Sequence, residues 1–137
     1  MKQKVLFLCT GNSCRSQMAE AIVNARLGGA WEAYSAGTQP AGFVHPMAVA
    51  VLQEIGITHH GRSKSINELL GIEFDLVITV CDQASQNCPV WLGRGQRVHL
   101  GFLDPALASG TEGQIRSIFR AVRDEIDEKV IDFITRR

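Results

Sequence analysis

A cysteine and an arginine separated by five residues form the stretch of this sequence best suited to chemistry. The loop between Cys9 and Arg15 consists of Thr10, Gly11, Asn12, Ser13 and Cys14. Successive backbone N–H groups in such a loop form an anion-binding nest. The arginine side chain adds a planar fork that matches two oxygens of a tetrahedral anion. The spacing predicts a cradle for a tetrahedral oxyanion with a sulfur nucleophile at its base.

The predicted surroundings of the loop bear on the reactivity of Cys9. An apolar run over residues 5–8 precedes it, and a helical pattern follows it. A helix start and a nearby cation both favour the thiolate, which is the nucleophilic form of cysteine. The competing interpretation makes Cys9 a buried strand-end residue and Arg15 a solvated helix residue. The strand before the loop and the helix after it favour the functional interpretation.

Four short segments predict the strands that must position this loop. They cover residues 5–8, 32–35, 75–80 and 97–100. The continuous apolar residues within 5–8 and 75–80 are typical of strands buried on both faces. The segment over 75–80 delivers a second cysteine, Cys81, at its end.

Helical patterns lie between and after these segments. The first helix follows the loop and should end near Gly28, because glycine is a common C-terminal stop. A second helix starts with Pro46 in its first turn and stops at Gly56, and a shorter one is predicted within 62–70. Thr111 with Gln114 three residues later resembles a capping box that opens a long final helix.

Alternating strands and helices predict a parallel sheet with helices on both faces. We therefore expect a single α/β domain over residues 1–137, a three-layer α/β/α structure with about four central parallel strands. In such sheets the ligand lies beyond the carboxyl ends of the strands. Cys9 and Cys81 both fall there.

The overall composition excludes several classes of function. The chain has 137 residues, of which 45% are hydrophobic and 20% charged, with 14 basic and 14 acidic side chains. A net charge of zero predicts no attraction to nucleic acid or to anionic membrane. No signal peptide or membrane span is recognisable, so a cytoplasmic location is expected. Four cysteines in that compartment suggest catalysis, redox chemistry or metal binding.

Cys81 and Cys88 form the second informative pair, with six residues between them. This spacing alone does not distinguish a functional pair from two unrelated thiols. If residues 81–88 were helical, their ends would lie ~10 Å apart along the axis. A disulfide needs Cα atoms ~4.4–6.8 Å apart. We therefore expect this segment to loop out or refold if the two cysteines become bonded.

The chain resembles the low-molecular-weight phosphatase-like arsenate reductases, specifically the thioredoxin-coupled branch. The matching motifs cover residues 9–20, 34–37, 77–81, 87–89, 101–105 and 119–126. The resemblance runs almost from end to end. It implies a low-molecular-weight phosphatase-like, flavodoxin-like fold and a role in arsenic detoxification.

The resemblance also implies a reaction. Arsenate binds to the loop amides and Arg15, Cys9 attacks arsenic, and Asp104 acts as the general acid. Cys81 then attacks the sulfur of Cys9, and arsenite is released. Cys88 attacks Cys81 in turn, which frees Cys9 and leaves a Cys81–Cys88 disulfide. Reduced thioredoxin regenerates the pair, and no tightly bound cofactor is implied.

Further roles near the loop are expected. The predicted substrate-binding residues are 10–16, and the resemblance implies that Ser16 donates a hydrogen bond to Cys9. From the residues themselves, Asn12 is expected to hold the shape of the loop and Cys14 to pack away from the anion. Some relatives bind potassium through residues matching Asn12, Glu20 and Ser35 with a nearby acid. Ser63 is predicted to take that acid's position, which argues against the site here. Phosphate and sulfate are expected to compete with arsenate.

Three other functions stay open from the sequence. A low-molecular-weight protein tyrosine phosphatase would share the loop and Asp104, but such enzymes usually have proline in place of Gln17 and tyrosines in place of Ala106 and Leu107. Phosphatase side activity is expected, because arsenate and phosphate share shape and charge. A thiol-based metal binder would use Cys9, Cys81 and Cys88. A reductase that uses glutaredoxin or a small thiol is the third alternative. His59 and His60 are interpreted as surface residues, not metal ligands.

Overall fold

The computed structural model describes residues 2–81, Gly93 and residues 95–137, and its centre is a parallel sheet of four strands. The strands are β1 (Gln3–Cys9), β2 (Trp31–Gly37), β3 (Leu76–Thr79) and β4 (Gln96–His99). They are arranged in the order β2-β1-β3-β4, and every neighbouring pair is parallel. The predicted α/β fold with about four parallel strands is confirmed.

Three α-helices and two short 3-10 helices connect and follow the strands. The α-helices are α1 (Arg15–Leu27), α2 (Pro46–Glu54) and α3 (Glu112–Thr135), and the 3-10 helices are Ile66–Leu69 and Pro105–Leu107. Gly28 ends α1 and the Thr111–Gln114 capping box opens α3, as predicted. The helix predicted within 62–70 is a single 3-10 turn, which Ser65 caps through its side chain.

The two faces of the sheet bury different sets of apolar residues because side chains alternate along each strand. Val5 and Phe7 of β1 point into a core shared with all three α-helices. Leu6 and Leu8 point to the opposite face, where Leu69 of the 3-10 turn covers them. Both faces are therefore shielded from water, as the continuous apolar strands predicted.

The strand order places β1 at the point where the chain changes direction across the sheet. From β1 the chain passes to β2 on one side and then to β3 on the other. Such switch points are the ligand-binding positions of parallel sheets. Leu8 pairs with Thr79, so Cys9 and Cys81 follow neighbouring strands at the same edge. No helix in the described part of the chain is both long and apolar enough to cross a membrane.

Candidate active site

The loop from Cys9 to Arg15 is held in a tight turn between β1 and α1. Asn12 is fully buried and has a φ of 48°, a left-handed conformation that asparagine tolerates better than most residues. Gly37 of β2 lies against the loop, where a Cβ atom would sit 2.4 Å from the Thr10 carbonyl oxygen. Only glycine allows this close approach of two backbones.

The segment after β2 binds the outer side of the loop. Backbone N–H groups of Gln39, Ala41 and His45 donate to the carbonyl oxygens of Thr10, Gly11 and Ser13, at 3.0, 2.9 and 3.0 Å. The Asn12 N–H points the other way and donates to the Cys9 sulfur. With its carbonyl oxygens turned outward in this way, the loop has the form of an anion-binding nest.

The Cys9 sulfur has two hydrogen-bond partners in the loop. The Asn12 N–H donates to it at 3.2 Å, and the Ser16 hydroxyl lies 2.9 Å away. The Ser16 oxygen already accepts from the Asn12 side-chain amide at 2.8 Å, so its own hydrogen is available to the sulfur. Two donors stabilise a thiolate more than a thiol, because bonds to a charged acceptor are stronger.

Arg15 and Asp104 face each other beside the loop. The Arg15 side chain is 7% exposed, and Nη2 lies 3.5 Å from Oδ2 of Asp104. Arg15 Nη1 donates to the Phe102 carbonyl oxygen at 3.2 Å, which fixes the guanidinium plane. Asp104 Oδ1 accepts from the Ala106 N–H at 3.0 Å and so caps the 3-10 helix that follows. The predicted binding cation and the predicted acid are therefore adjacent.

These groups line one pocket of about 220 Å³. Its other walls include Phe43 and His45, which follow β2, and Ala106 beside Asp104. A pocket of this size holds a tetrahedral oxyanion with room for a small substituent. Sequence reasoning missed Phe43 and His45, although the position of His45 before Pro46 marks it as a candidate helix cap.

His45 is fixed by several contacts in the pocket wall. Its Nδ1 accepts from the Met47 N–H at 3.1 Å, which caps α2. Its ring lies 4.8 Å from that of Phe119. Burial lowers the pKa of His45, and the charge of Asp104 raises it less. The imidazole is therefore neutral near pH 7, with its proton on Nε2 because Nδ1 acts as an acceptor.

Cys14 borders the same pocket but differs chemically from Cys9. Its side chain is 3% exposed and belongs to the core under α1. Burial, and then the charge of Asp104, raise the pKa of Cys14 to about 12. Cys14 therefore stays a neutral thiol and packs as a small apolar residue.

The remaining cysteines follow β3. Cys81 is fully buried and is bonded in a disulfide, whereas Cys9 and Cys14 are free thiols. Cys88, its predicted partner, lies outside the described residues, and so does most of the segment expected to refold. No group of three or more metal-ligating side chains occurs within residues 2–81 or 95–137.

The residues predicted for a potassium site do come together, but a lysine lies among them. The carboxylate of Glu20 accepts a hydrogen bond from Ser35 Oγ at 3.0 Å. Asn12 is linked to the same cluster through Lys64, whose backbone N–H donates to Asn12 Oδ1. The ammonium group of Lys64 lies 4.0 Å from Glu20. Because this ammonium already compensates the carboxylate, the residues do not fit a potassium ion.

Ser63 and His59 differ from their predicted positions. Ser63 donates to the Gly11 carbonyl oxygen at 3.1 Å and supports the loop, so Lys64, not Ser63, is the residue that faces Glu20. The prediction that His59 is a surface residue was wrong, because its side chain is 7% exposed. Its Nε2 lies 2.7 Å from Oε1 of Gln17. His60 is exposed, as expected.

Comparisons with known proteins agree over nearly the whole chain. The profile of the low molecular weight phosphotyrosine protein phosphatase family matches residues 4–136. An arsenate reductase of Halalkalibacterium halodurans is 46% identical over 133 residues, which cover 96% of this chain and 95% of that protein. An arsenate reductase of Bacillus subtilis is 43% identical over 136 residues, covering 97% and 96%.

Solved structures lead to the same group of proteins. An arsenate reductase in its phosphate-binding state superposes with a TM-score of 0.81 at 32% identity, and the match covers 98% of both chains. A thioredoxin-dependent arsenate reductase of Corynebacterium glutamicum has a TM-score of 0.70 at 25% identity. That match covers 96% of this chain and 59% of the other.

Proposed function

This chain belongs to the low molecular weight phosphotyrosine protein phosphatase family, and we propose that it is an arsenate reductase with a three-cysteine relay. The observation that carries the proposal is the environment of Cys9. Its sulfur lies at the base of an oxyanion-sized pocket with two hydrogen-bond partners, beside the guanidinium of Arg15. The similarity to arsenate reductases over the whole chain supports arsenate as the anion.

The first step is attack on arsenic. Arsenate binds to the loop amides and Arg15, and the Cys9 thiolate forms a bond to arsenic. Asp104, 3.5 Å from Arg15, donates a proton to the departing oxygen, which leaves as water. The product is a covalent adduct in which arsenic is still pentavalent. The Ser16 hydroxyl and the Asn12 N–H hold the Cys9 sulfur in position for this attack.

The second step is the reduction itself. The Cys81 thiolate attacks the sulfur of Cys9, and a disulfide forms between them. The electron pair of the arsenic–sulfur bond stays on arsenic, which leaves as arsenite. Two electrons have then passed from two thiolates to one arsenic atom. The placement of Cys9 and Cys81 after neighbouring strands supports this exchange.

The third step regenerates the nucleophile. The Cys88 thiolate attacks the sulfur of Cys81, which frees the Cys9 thiolate and leaves a Cys81–Cys88 disulfide. The disulfide state of Cys81 together with a free Cys9 is compatible with this end product. Reduced thioredoxin is the proposed electron donor, and the similarity to a thioredoxin-dependent arsenate reductase supports it. We infer a role in arsenic detoxification.

The relay is tested by single-turnover and steady-state kinetics of serine variants. Arsenate-dependent NADPH oxidation is measured with thioredoxin and thioredoxin reductase. Cys9→Ser and Cys81→Ser should form no arsenite. Cys88→Ser should form one arsenite per enzyme and then stop as a Cys9–Cys81 disulfide, which mass spectrometry detects. Ser117→Ala, a substitution on the exposed side of α3, is the control and should turn over normally.

Three results would contradict this proposal in part or as a whole. Sustained turnover of Cys88→Ser with thioredoxin alone would exclude the third step. Turnover with glutaredoxin or a small thiol, but not with thioredoxin, would replace the proposed electron donor and leave the attack by Cys9 intact. A negative result with arsenate and every thiol donor would remove the reductase assignment.

Phosphatase side activity is the second proposed function, and the shared pocket supports it. Cys9, Arg15 and Asp104 suffice for attack on a phosphate monoester and protonation of its leaving group, with no need for Cys81 or Cys88. Hydrolysis of p-nitrophenyl phosphate should therefore survive in Cys81→Ser and Cys88→Ser and be lost in Cys9→Ser. Loss of hydrolysis in all three variants would contradict the shared mechanism.

A further inference from the structure

A buried carboxylate lies behind the oxyanion loop. Glu20 is on α1, and its side chain is 14% exposed. Ser35 Oγ donates to it at 3.0 Å, and burial raises its pKa. A carboxylate removed from water needs a compensating charge to stay ionised.

Lys64 is the group that supplies this charge. Its side chain is 13% exposed, and Nζ lies 4.0 Å from Glu20 Oε1 while donating to the Arg62 carbonyl oxygen at 2.9 Å. The other candidate, His59 Nε2, lies 3.9 Å from Glu20. Burial and the charges of Lys64 and His60 lower the pKa of His59. His59 is therefore neutral near pH 7, which leaves the ammonium of Lys64 as the compensating cation.

The backbone of Lys64 is also the start of a hydrogen-bonded chain to the nucleophile. Its N–H donates to Asn12 Oδ1 at 2.9 Å, and Asn12 Nδ2 donates to Ser16 Oγ at 2.8 Å. Ser16 lies 2.9 Å from the Cys9 sulfur. The Lys64 carbonyl oxygen accepts from the Gly37 N–H at 3.0 Å, which joins the same residue to β2. Movement of Lys64 would displace the residues that orient Cys9.

We propose that Lys64 is a built-in monovalent cation that positions the oxyanion loop. Its ammonium is part of the protein chain, and it provides the positive charge that a bound ion would otherwise supply between Asn12, Glu20 and Ser35. The inference deepens the proposed function, on which it rests for the role of Cys9. It makes Lys64 a positioning residue, and the ordering of the loop independent of sodium or potassium.

Two substitutions distinguish an ion-like role from simple packing. Lys64→Ala removes the ammonium and opens space next to oxygen ligands, whereas Lys64→Met removes the charge but fills the space. Both keep the backbone N–H that binds Asn12. The readouts are the rate of Cys9 alkylation by iodoacetamide, with peptide mapping, and phosphate binding by calorimetry. Neither requires arsenate reduction, so a failed reductase assignment would leave the test valid.

The expected results depend on the cation in the buffer. With tetramethylammonium as the only added cation, Cys9 of both variants should be alkylated about ten-fold more slowly than Cys9 of the parent chain. A factor of this size is typical of the coupling between two sites in a protein. Replacement by potassium at equal ionic strength should restore Lys64→Ala but not Lys64→Met. The parent chain and the exposed control Lys129→Met should respond to neither change.

Three outcomes would overturn the proposal. They are an unchanged alkylation rate in both variants, activation of the parent chain by potassium, and equal rescue of the alanine and methionine variants. If Lys64→Ala fails to fold, the pair Lys64→Met and Glu20→Gln/Lys64→Met decides. Removing the uncompensated carboxylate should then raise the melting temperature of the double variant above that of the single one. A double variant that melts at or below the single variant would also contradict the proposed charge compensation.

Discussion

The guanidinium of Arg15 lies 3.5 Å from the carboxylate of Asp104, and both side chains line the pocket that contains Cys9. Asp104 has two separable tasks in this position. One carboxylate oxygen faces Arg15, and the other accepts the Ala106 N–H and caps the 3-10 helix Pro105–Leu107. To test the two tasks separately, a substitution must remove the acidic proton and keep the hydrogen bond that caps the 3-10 helix.

Asp104→Asn should separate the two tasks. Asparagine keeps an acceptor for the Ala106 N–H but cannot donate a proton as a carboxylic acid does. Loss of a general acid typically costs at least about 100-fold in rate, and kcat for arsenate reduction should fall by that order. Phosphate affinity, measured by calorimetry, should not weaken, because the substitution removes a negative charge from the anion pocket.

Asp104→Ala is the matched comparison. It loses the cap as well, so its free energy of unfolding should fall by about 1 kcal/mol relative to Asp104→Asn. Urea denaturation measures this difference. A kcat within a factor of about two of the parent value in Asp104→Asn would remove Asp104 from the proton-transfer step, since two-fold is far below a general-acid contribution.

The residues from Cys9 to Arg15 were predictable because they are contiguous and lie between elements with strong local patterns. A buried strand before the loop and a helix after it leave few ways to fold the residues between. The capping box at Thr111 was predictable for the same reason, since its two partners lie within one helical turn. The parallel sheet was predictable from the alternation of strands and helices along the chain.

The residues behind the loop were not predictable, because their roles come from contacts between distant parts of the chain. Lys64 meets Glu20 and Asn12 only after the chain has crossed from β2 to the region before β3. A single lysine in a polar stretch has no local pattern that distinguishes a buried ion-pair partner from a surface charge. His59 was misplaced for the same reason: its partner Gln17 lies on α1, 42 positions away.

Ser16 should control the reactivity of the Cys9 sulfur. Its hydroxyl lies 2.9 Å from the sulfur and accepts from Asn12. A hydrogen bond to a charged group contributes ~1.5–3 kcal/mol, so Ser16→Ala should slow Cys9 alkylation by iodoacetamide at pH 7 by about ten-fold or more. Ser117→Ala, an exposed serine of α3 that bonds to Gly113, is the control and should alkylate normally. Equal rates in the two variants would show that the Ser16 hydroxyl does not act on the sulfur.

Glu54 should make the stability of the chain sensitive to acid. Arg120 bonds to this carboxylate at 2.6 and 2.9 Å, and together with Arg123 it lowers the pKa of Glu54 to about 2. An acid whose pKa is lowered by folding stabilises the native state above its unfolded pKa, which is about 4.3. That contribution is lost as the pH falls from this value towards 2.

Comparison with Glu54→Gln measures this contribution by urea unfolding at several pH values. The parent chain should be more stable than the variant at pH 6, and the difference should shrink steadily below pH 4.5. Glu125→Gln is the control, because its only described partner is the exposed Lys129, four residues along α3. A difference for Glu54→Gln that stays constant with pH would exclude the arginine contacts as its cause.

Cys14 should remain unreactive next to Cys9. The two residues are almost equally buried, at 3% and 2% exposed, but burial with the charge of Asp104 raises the pKa of Cys14 to about 12. At pH 8 almost none of it is thiolate, whereas Cys9 has two hydrogen-bond donors and borders the pocket. Iodoacetamide should therefore label Cys9 and leave Cys14 unlabelled until the chain is unfolded in urea, as peptide mapping will show.

Bound phosphate provides the control for this labelling experiment. It should protect Cys9 and leave the slow labelling of Cys14 unchanged, because Cys14 reacts only after local or global unfolding. A rise in Cys14 labelling between pH 7 and 9 that exceeds the rise in unfolding would contradict the raised pKa.

The raised pKa of Cys14 also determines how the stability of the native state changes with pH. Because the unfolded chain loses the Cys14 proton first as the pH rises, this thiol should lower native stability above pH 9, and Cys14→Ala should remove that dependence.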